Sequence, residues 1–197
     1  MIAYSIGWLA TTLYLIAQGY ISLNPNYKRT PFFVLNILAG ILLTGASVGM
    51  ESYQAVAVNA YWAIVSLAAL FHLFTRFHFR MPIPWLWGIC GLLAVASIAG
   101  ILALGPTGPL IIDVIGWNGT IIYCGSYFLM AIRNISRISY LWVNAISGVM
   151  LLPAYAMADN WPSFVLNVVW VILSVIGAVR GERMAPPRKT VITPDPE

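Results

Sequence analysis

The feature that most constrains this chain is a succession of seven apolar runs, at about residues 2–22, 32–50, 53–74, 83–104, 110–131, 138–157 and 162–180. At a helical rise of about 1.5 Å per residue most of them reach roughly 28 to 33 Å, the thickness of a bilayer core. Only helices and closed barrels satisfy every backbone N–H and C=O inside lipid. These runs do not alternate apolar with polar, so they read as helices rather than barrel strands. With 60% apolar residues, 8% charged and a mean hydropathy of +0.85, the chain lies outside the range of soluble domains. The expected class is an all-α integral membrane protein with seven transmembrane helices. The breaks, "NPNYKRTP", "MESYQ", "TRFHFRMP", "GPTGP", "RNISR" and "ADNWP", are too short to be domains. The final stretch, 181–197, holds four prolines and no apolar periodicity, and reads as a disordered tail.

Charge sets the expected orientation. Lys28 and Arg29, Arg76 and Arg80, Arg133 and Arg137, then Arg180, Arg183, Arg188 and Lys189 fall in the odd loops and at the C-terminus. Glu51, Asp113 and Asp159 lie in or beside the even loops, which have no Lys or Arg. The positive-inside rule then places the N-terminus outside and the C-terminus in the cytoplasm. The net charge of +4 reports topology and contact with anionic membrane lipids, and no nucleic-acid partner is expected. The expected location is the cell membrane, multi-pass, which is the inner membrane for a bacterial chain. The first run has no basic leader and reads as a mature helix.

The chain repeats itself. "IGWLATTLY" at 6–14 matches "IGWNGTIIY" at 115–123, 109 residues on. With one residue dropped in the loop that follows, an offset of 108 pairs Arg29/Arg137, Asn36/Asn144, Gly40/Gly148, Asn59/Asn167, Trp62/Trp170 and Ser66/Ser174. The matched letters are mostly rare ones, so shared oiliness does not explain them. Each repeat holds three helices, with the fourth between them. The division is a first triple-helix bundle at 1–80, a linker helix at 81–109, a second bundle at 110–180 and the tail. An odd linker span turns the chain over once, so the two bundles run parallel about an axis along the membrane normal. The linker carries small residues at Gly88, Gly91, Ala94, Ser97 and Gly100, a ridge suited to close packing.

Polar residues inside spans mark the candidate site. Asn59, Trp62 and Ser66 share one helical face, and Asn167, Trp170 and Ser174 repeat it. Two readings follow: amide walls with aromatic shelves lining a pocket, or interhelical glue worth about 0.6 to 2 kcal/mol per bond. Asn36 and Asn144 each stand four residues before a glycine and read as packing. Gly7, Thr11, Tyr14 and Gln18 form a stripe repeated by Gly116, Thr120, Tyr123 and Tyr127, which must face protein or water rather than lipid. Trp8, Trp85, Trp117 and Trp161 lie near span ends as interfacial anchors. Cys90 and Cys124 read as packing. No Asp, Glu, Lys or Arg lies deep in a span, so neither a proton relay nor an ion-coupling site can be assembled. His72 and His78 read as interfacial, and no metal set, cofactor or catalytic triad is expected; an enzyme is disfavoured.

The three-one-three plan and the asparagine of each third helix ("QAVAVN", "WPSFVLN") resemble the SWEET, SemiSWEET and PQ-loop transporter superfamily. Within it the repeats look most like an uncharacterised bacterial three-helix membrane family sharing the G-W, mid-helix N and N-x-x-W features. The resemblance implies an alternating pocket between the bundles, with Asn59 and Asn167 facing across it. The chain lacks the Pro-Gln dipeptide, reading Ala17-Gln18-Gly19 and Ser126-Tyr127-Phe128 instead. The expected function is a passive facilitator of a small neutral polar solute such as a sugar, nucleoside or vitamin. The expected binding residues are Asn59, Asn167, Trp62, Trp170, Tyr14, Tyr123, Thr11 and Thr120. The alternative is a non-transporting adaptor or receptor that binds a partner or lipid. Either reading leaves room for a homo-oligomer.

Overall fold

The computed structural model describes residues 1–74, 81–105 and 108–184. It contains seven helices: α1 (Ile2–Leu23), α2 (Arg29–Val48), α3 (Tyr53–Leu70), α4 (Ile83–Leu104), α5 (Pro109–Ala131), α6 (Arg137–Met157) and α7 (Trp161–Met184). Six of them are long and apolar enough to cross a membrane. The exception is α5, whose apolar run is diluted by Asp113, Asn118 and Thr120. Of these Thr120 is buried, Asn118 bonds Ser97 of α4, and Asp113 is exposed near the start of the helix and accepts from Gln54 of α3.

Local chemistry sets the helix ends. Pro31 sits in the first turn of α2, where a missing N–H costs nothing, and prolines also open α4 and α5. The Ser136 hydroxyl caps α6 by accepting from Ser139 N–H at 3.0 Å, and the Asn160 side-chain oxygen accepts from Ser163 N–H at 3.2 Å at the start of α7. Two or three residues past the ends of α2, α3, α5 and α6 stand Glu51, His72, Arg133 and Asp159, all with positive φ. In each, the next residue's N–H reaches back five positions, as Ser52 to Ser47 and Asn160 to Tyr155. That is the Schellman termination, usually written with glycine. Because glycine is absent from these positions, the stop of α3 at Leu70 rather than 74 carries no sequence signal. In the other direction, α7 continues through Met184, so 181–184 are helical and do not belong to a disordered tail. Residues 185–197, His78, Arg76 and Arg80 lie outside the described residues.

The principal packing partners form a closed cycle: α1 on α2, α2 on α3, α3 on α5, α5 on α6, α6 on α7, and α7 back on α1. The two seams between sequence-distant helices are α1/α7 and α3/α5. Both pairs run parallel. Along α1/α7, contacts progress from Tyr4 with Asp159 through Thr11 with Pro162 to Gln18 with Ser174. Along α3/α5 they progress from Gln54 with Asp113 to Ser66 with Tyr127. The polar stripes Gly7, Thr11, Tyr14, Gln18 and Gly116, Thr120, Tyr123, Tyr127 are buried, as the sequence requires of them.

Helix α4 stands outside the cycle with α5 as its main partner. Asn118 holds it, donating to Ser97 Oγ at 3.1 Å, and Gly100 lies against Ile111. Gly88 and Gly91 face open space, so only the later part of the expected small-residue ridge packs. The tryptophans Trp8, Trp85, Trp117 and Trp161 are exposed on the outer surface, and Cys90 and Cys124 are free thiols.

The α1/α7 seam closes on glycine. A Cβ on Gly177 would lie 2.7 Å from the Ser22 carbonyl oxygen, whereas Gly45 has nothing within 4 Å. Gly177→Ala should therefore destabilise the protein by about 1 to 3 kcal/mol through overpacking. Gly45→Ala should leave stability unchanged or raise it by up to about 1 kcal/mol through helix propensity. Thermal unfolding in detergent separates the two outcomes.

Candidate functional site

The inward faces of α1, α3, α5 and α7 each contribute one large ring to the centre of the cycle. Tyr14 stands edge-on to both Trp62 and Trp170, at 5.8 and 5.9 Å between ring centroids. Tyr123 contacts the same two indoles at 4.9 and 6.2 Å, and Trp62 and Trp170 are themselves 5.0 Å apart. All four side chains are at most 3% exposed. Such edge-to-face and tilted pairs add about 0.5 to 1.5 kcal/mol each beyond burial. The cluster follows the repeat, Tyr14 corresponding to Tyr123 and Trp62 to Trp170.

The cluster borders a central cavity that touches both Asn59 and Asn167, together with Leu43, Val58, Tyr155, Ser163 and Leu166. A water-sized sphere has about 10 Å³ to move in, roughly the room of a single water. Asn59 donates from Nδ2 to the Ala55 carbonyl at 2.7 Å, and Asn167 to the Ser163 carbonyl at 2.9 Å. Asn36 and Asn144 make the same bond to Phe32 and Tyr140, at 2.7 and 2.9 Å. Each amide is thus anchored on its own helix. Unpaired buried polar atoms occur elsewhere too, the Oδ1 atoms of Asn36 and Asn144 among them; what distinguishes the cavity is that several gather around it. Tyr14 Oη, Trp62 Nε1, Ser163 Oγ, Asn167 Oδ1 and Trp170 Nε1 are buried without a hydrogen-bond partner, and all five residues line it. Buried polar groups without partners are costly. Five around one cavity form a set of donors and acceptors available to a hydrogen-bonding guest.

Six of the eight residues expected from sequence line this cavity. Thr11 and Thr120 do not: the Thr11 hydroxyl donates to the Pro162 carbonyl at 3.0 Å, and that of Thr120 to the Gly116 carbonyl of its own helix at 2.9 Å. Ser163 and Tyr155 are lining residues that repeat matching could not find, since their counterparts at the same offset are Ala55 and Ser47. Helical periodicity could have found Ser163, which lies one turn before Asn167.

Toward the basic end of the cycle, each seam is pinned by a polar pair one turn below the indoles. Gln18 Nε2 donates to Ser174 Oγ at 2.8 Å, and Ser66 and Tyr127 share a hydrogen bond of 2.6 Å between hydroxyls. Gln18 and Tyr127 are repeat counterparts, as are Ser66 and Ser174. Beyond these, two arginines cross between repeats. Arg29 of α2 donates to the Met130 and Ala131 carbonyls ending α5, and Arg137 of α6 donates to the Ile21 and Ser22 carbonyls ending α1, the bond to Ile21 being 2.8 Å. Each guanidinium satisfies carbonyls left open by a helix terminus and sits at the negative end of its dipole. Beside them, burial pushes the Tyr27 hydroxyl above its ordinary range while Arg29 and Arg137 pull it down.

The symmetry fails along α3/α5. On α1/α7, Gly7 packs on Pro162 and Gly177 on Ser22. On α3/α5, Gly116 likewise packs on Ala154 and Gln54, but clefts open beside both ends. One, offering 760 Å³ on the same measure, lies at the basic end among Lys28, Arg29, Ala69, Leu70, Ala131 and Arg133. The other, 340 Å³, lies at the opposite end among Glu51, Gln54, Asp113 and Ala154. Between the central cavity and the basic cleft stand the Ser66–Tyr127 bond and the Trp62–Tyr127 stack, 4.3 Å apart and 12° from parallel.

A protein-family model, that of an uncharacterised family, matches residues 112–184, a stretch running from the first turn of α5 to the last residue of α7. No curated protein and no solved structure matches the chain, so the resemblance to SWEET and PQ-loop proteins gains no support from these comparisons.

The two seam bonds lie on opposite sides of the cycle and share no partner. Gln18→Leu and Tyr127→Phe should each cost about 0.6 to 2 kcal/mol, the range of interhelical hydrogen bonds in membranes. The double variant should show the sum, measured by reversible unfolding in micelles.

Proposed function

We propose that the protein is an integral membrane facilitator for a small neutral polar solute of the size of a sugar, nucleoside or vitamin, working by alternating access. The observation that carries this reading is the central cavity contacting Asn59 and Asn167, with five unpartnered polar groups on its walls. Intrahelical bonds hold both amides in place, and that of Asn167 leaves its Oδ1 without a partner. Indole and phenol rings offer flat apolar surfaces beside these polar groups, a combination common in small-molecule sites. The described residues that line the cavity carry no charge at neutral pH, which suits a neutral guest.

In this reading the two three-helix units, α1–α3 and α5–α7, form a three-one-three arrangement with α4 as linker, the N-terminus outside and the basic end cytoplasmic. The cavity as it stands has room for about one water, so this reading requires the bundles to part before a solute enters. The α1/α7 seam, closed on glycine at both ends, is the pivot. The α3/α5 seam, with a cleft at each end, is the route, and the Tyr127 contacts with Ser66 and Trp62 form its inner gate. Passage to the outer cleft requires the Gln54–Asp113 bond of 3.0 Å to part.

A second reading is favoured by the tightness of the same cavity: a protein that never opens and acts by binding a partner or lipid. Reconstituted liposomes distinguish the two. Uptake of one class among radiolabelled sugars, nucleosides, vitamins and polyols is expected, abolished by Asn59→Ala with Asn167→Ala, and faster with Tyr127→Phe, which removes the gate hydroxyl. No uptake of any class, or uptake indifferent to the asparagine pair, sinks the facilitator reading. No uptake of any class, together with loss of cellular function on deleting 185–197, would instead favour the adaptor.

A further inference from the structure

The basic cleft at the end of the α3/α5 seam has features that a solute path alone does not require. Lys28, Arg29, His72 and Arg133 converge on it from three segments: the start of α2, the residues after α3 and the residues after α5. Among the described residues that line it there is no carboxylate. Three of the four carry full positive charge, and their mutual repulsion favours a counter-charge in the cleft that the described lining residues do not supply. Arg29 is already committed through its terminal nitrogens to the α5 carbonyls, yet its Nε is buried without a partner. His72 and Arg133 are both held at positive φ, 56° and 61°, a conformation that disfavours side chains such as theirs. The Schellman terminations of α3 and α5 thereby place an imidazole and a guanidinium on the two lips of one cleft.

The rest of the lining is apolar. Phe33 lies under the Arg29 guanidinium at 5.1 Å, and Leu70 and Phe74 complete the wall. Next to the cleft, Phe71 and Leu73 are 67% and 69% exposed, side chains that suit acyl chains better than water. The cleft therefore pairs cations, at the level where helices end, with an apolar wall. Free phosphate would use only the first of these.

We propose that this cleft is a phosphate-binding site for the headgroup of an anionic phospholipid, with Lys28 and Arg133 holding the phosphate and Phe33 and Leu70 lying along the glycerol and upper acyl chain. Polybasic surfaces gain about 1 kcal/mol per Lys or Arg from anionic lipid, and a cleft that orders these cations makes the attraction local. The site does not depend on whether the protein transports. Its occupant would bridge the ends of α3 and α5, stabilising the seam that the facilitator reading needs to move.

The test is retention of phosphatidylglycerol by the full-length protein after transfer from mixed phosphatidylcholine–phosphatidylglycerol vesicles into detergent, read by native mass spectrometry. Wild-type protein should keep phosphatidylglycerol in preference to phosphatidylcholine. Lys28→Gln with Arg133→Gln should lower retention by about tenfold or more. Arg180→Gln with Arg183→Gln, which removes the same charge from exposed positions on α7, should leave it unchanged. Equal losses in both pairs would mean diffuse surface attraction and overturn the site. So would a wild type with no preference between the two lipids, a result that needs no variant to fold. Inorganic phosphate forms the last arm: if it displaces the lipid or raises thermal stability as much as phosphatidylglycerol vesicles do, the occupant is a free anion and the lipid assignment fails.

Discussion

The molecule depends on how two pairs of parallel helices, α1 with α7 and α3 with α5, hold together in a chain with six helices long and apolar enough to cross a membrane. Lipid tails are as apolar as leucine, so helices in a bilayer associate through close packing and hydrogen bonds rather than through the hydrophobic effect. The α1/α7 seam uses both: glycine at positions 7 and 177 lets backbones approach, and Gln18 with Ser174 ties the middle. The α3/α5 seam keeps its equivalent tie, Ser66 with Tyr127, but has Ala69 where its partner seam has Gly177. The first seam closes on glycine at both ends, whereas the second, held at its far end by Gly116 and the Gln54–Asp113 bond, opens into a large cleft beside Ala69.

The crossed arginines show how the repeat makes a single body from two. Arg29 and Arg137 each stand at the start of a second helix and each serves the carbonyl end of the other repeat's first helix. A local interaction, side chain to helix terminus, becomes the clasp between halves because it is made reciprocally. It also accounts for a basic residue at the same position of both repeats without any appeal to a ligand. Lys28 and Arg133, which have no such reciprocal role, are the cations left over for the cleft.

The asparagines that stand out in such oily helices each tie one end of the amide to their own helix. Their Nδ2 atoms bond the carbonyl one turn back, as do those of Asn36 and Asn144. Bonding of that kind lowers the penalty of an amide in hydrocarbon and fixes its rotamer. The other half of the Asn167 amide is unpaired in a cavity whose walls also carry the unpaired Tyr14, Trp62, Ser163 and Trp170 polar atoms. For Asn167 packing and cavity lining are therefore not alternatives, because its donor end bonds its own helix and its acceptor end is left unpaired at the cavity.

Sequence alone determined the helical class, the seven segments to within a few residues at most ends, the internal repeat and six of the residues around the central cavity. It could do so because lipid imposes a length on each span, and because rare polar letters recurring at offsets of 108 and 109 mark positions that face protein. Only the tertiary structure decided which helices meet across the repeats, where the symmetry breaks and which polar atoms are left unpaired. Thr11 and Thr120 share the stripe of Tyr14 and Tyr123 but bond carbonyls away from the cavity, while Ser163 and Tyr155, absent from the repeat, line it. The physical reason is that periodicity fixes the face on which a residue lies, whereas a hydrogen bond or a cavity depends on what the neighbouring helix places opposite it.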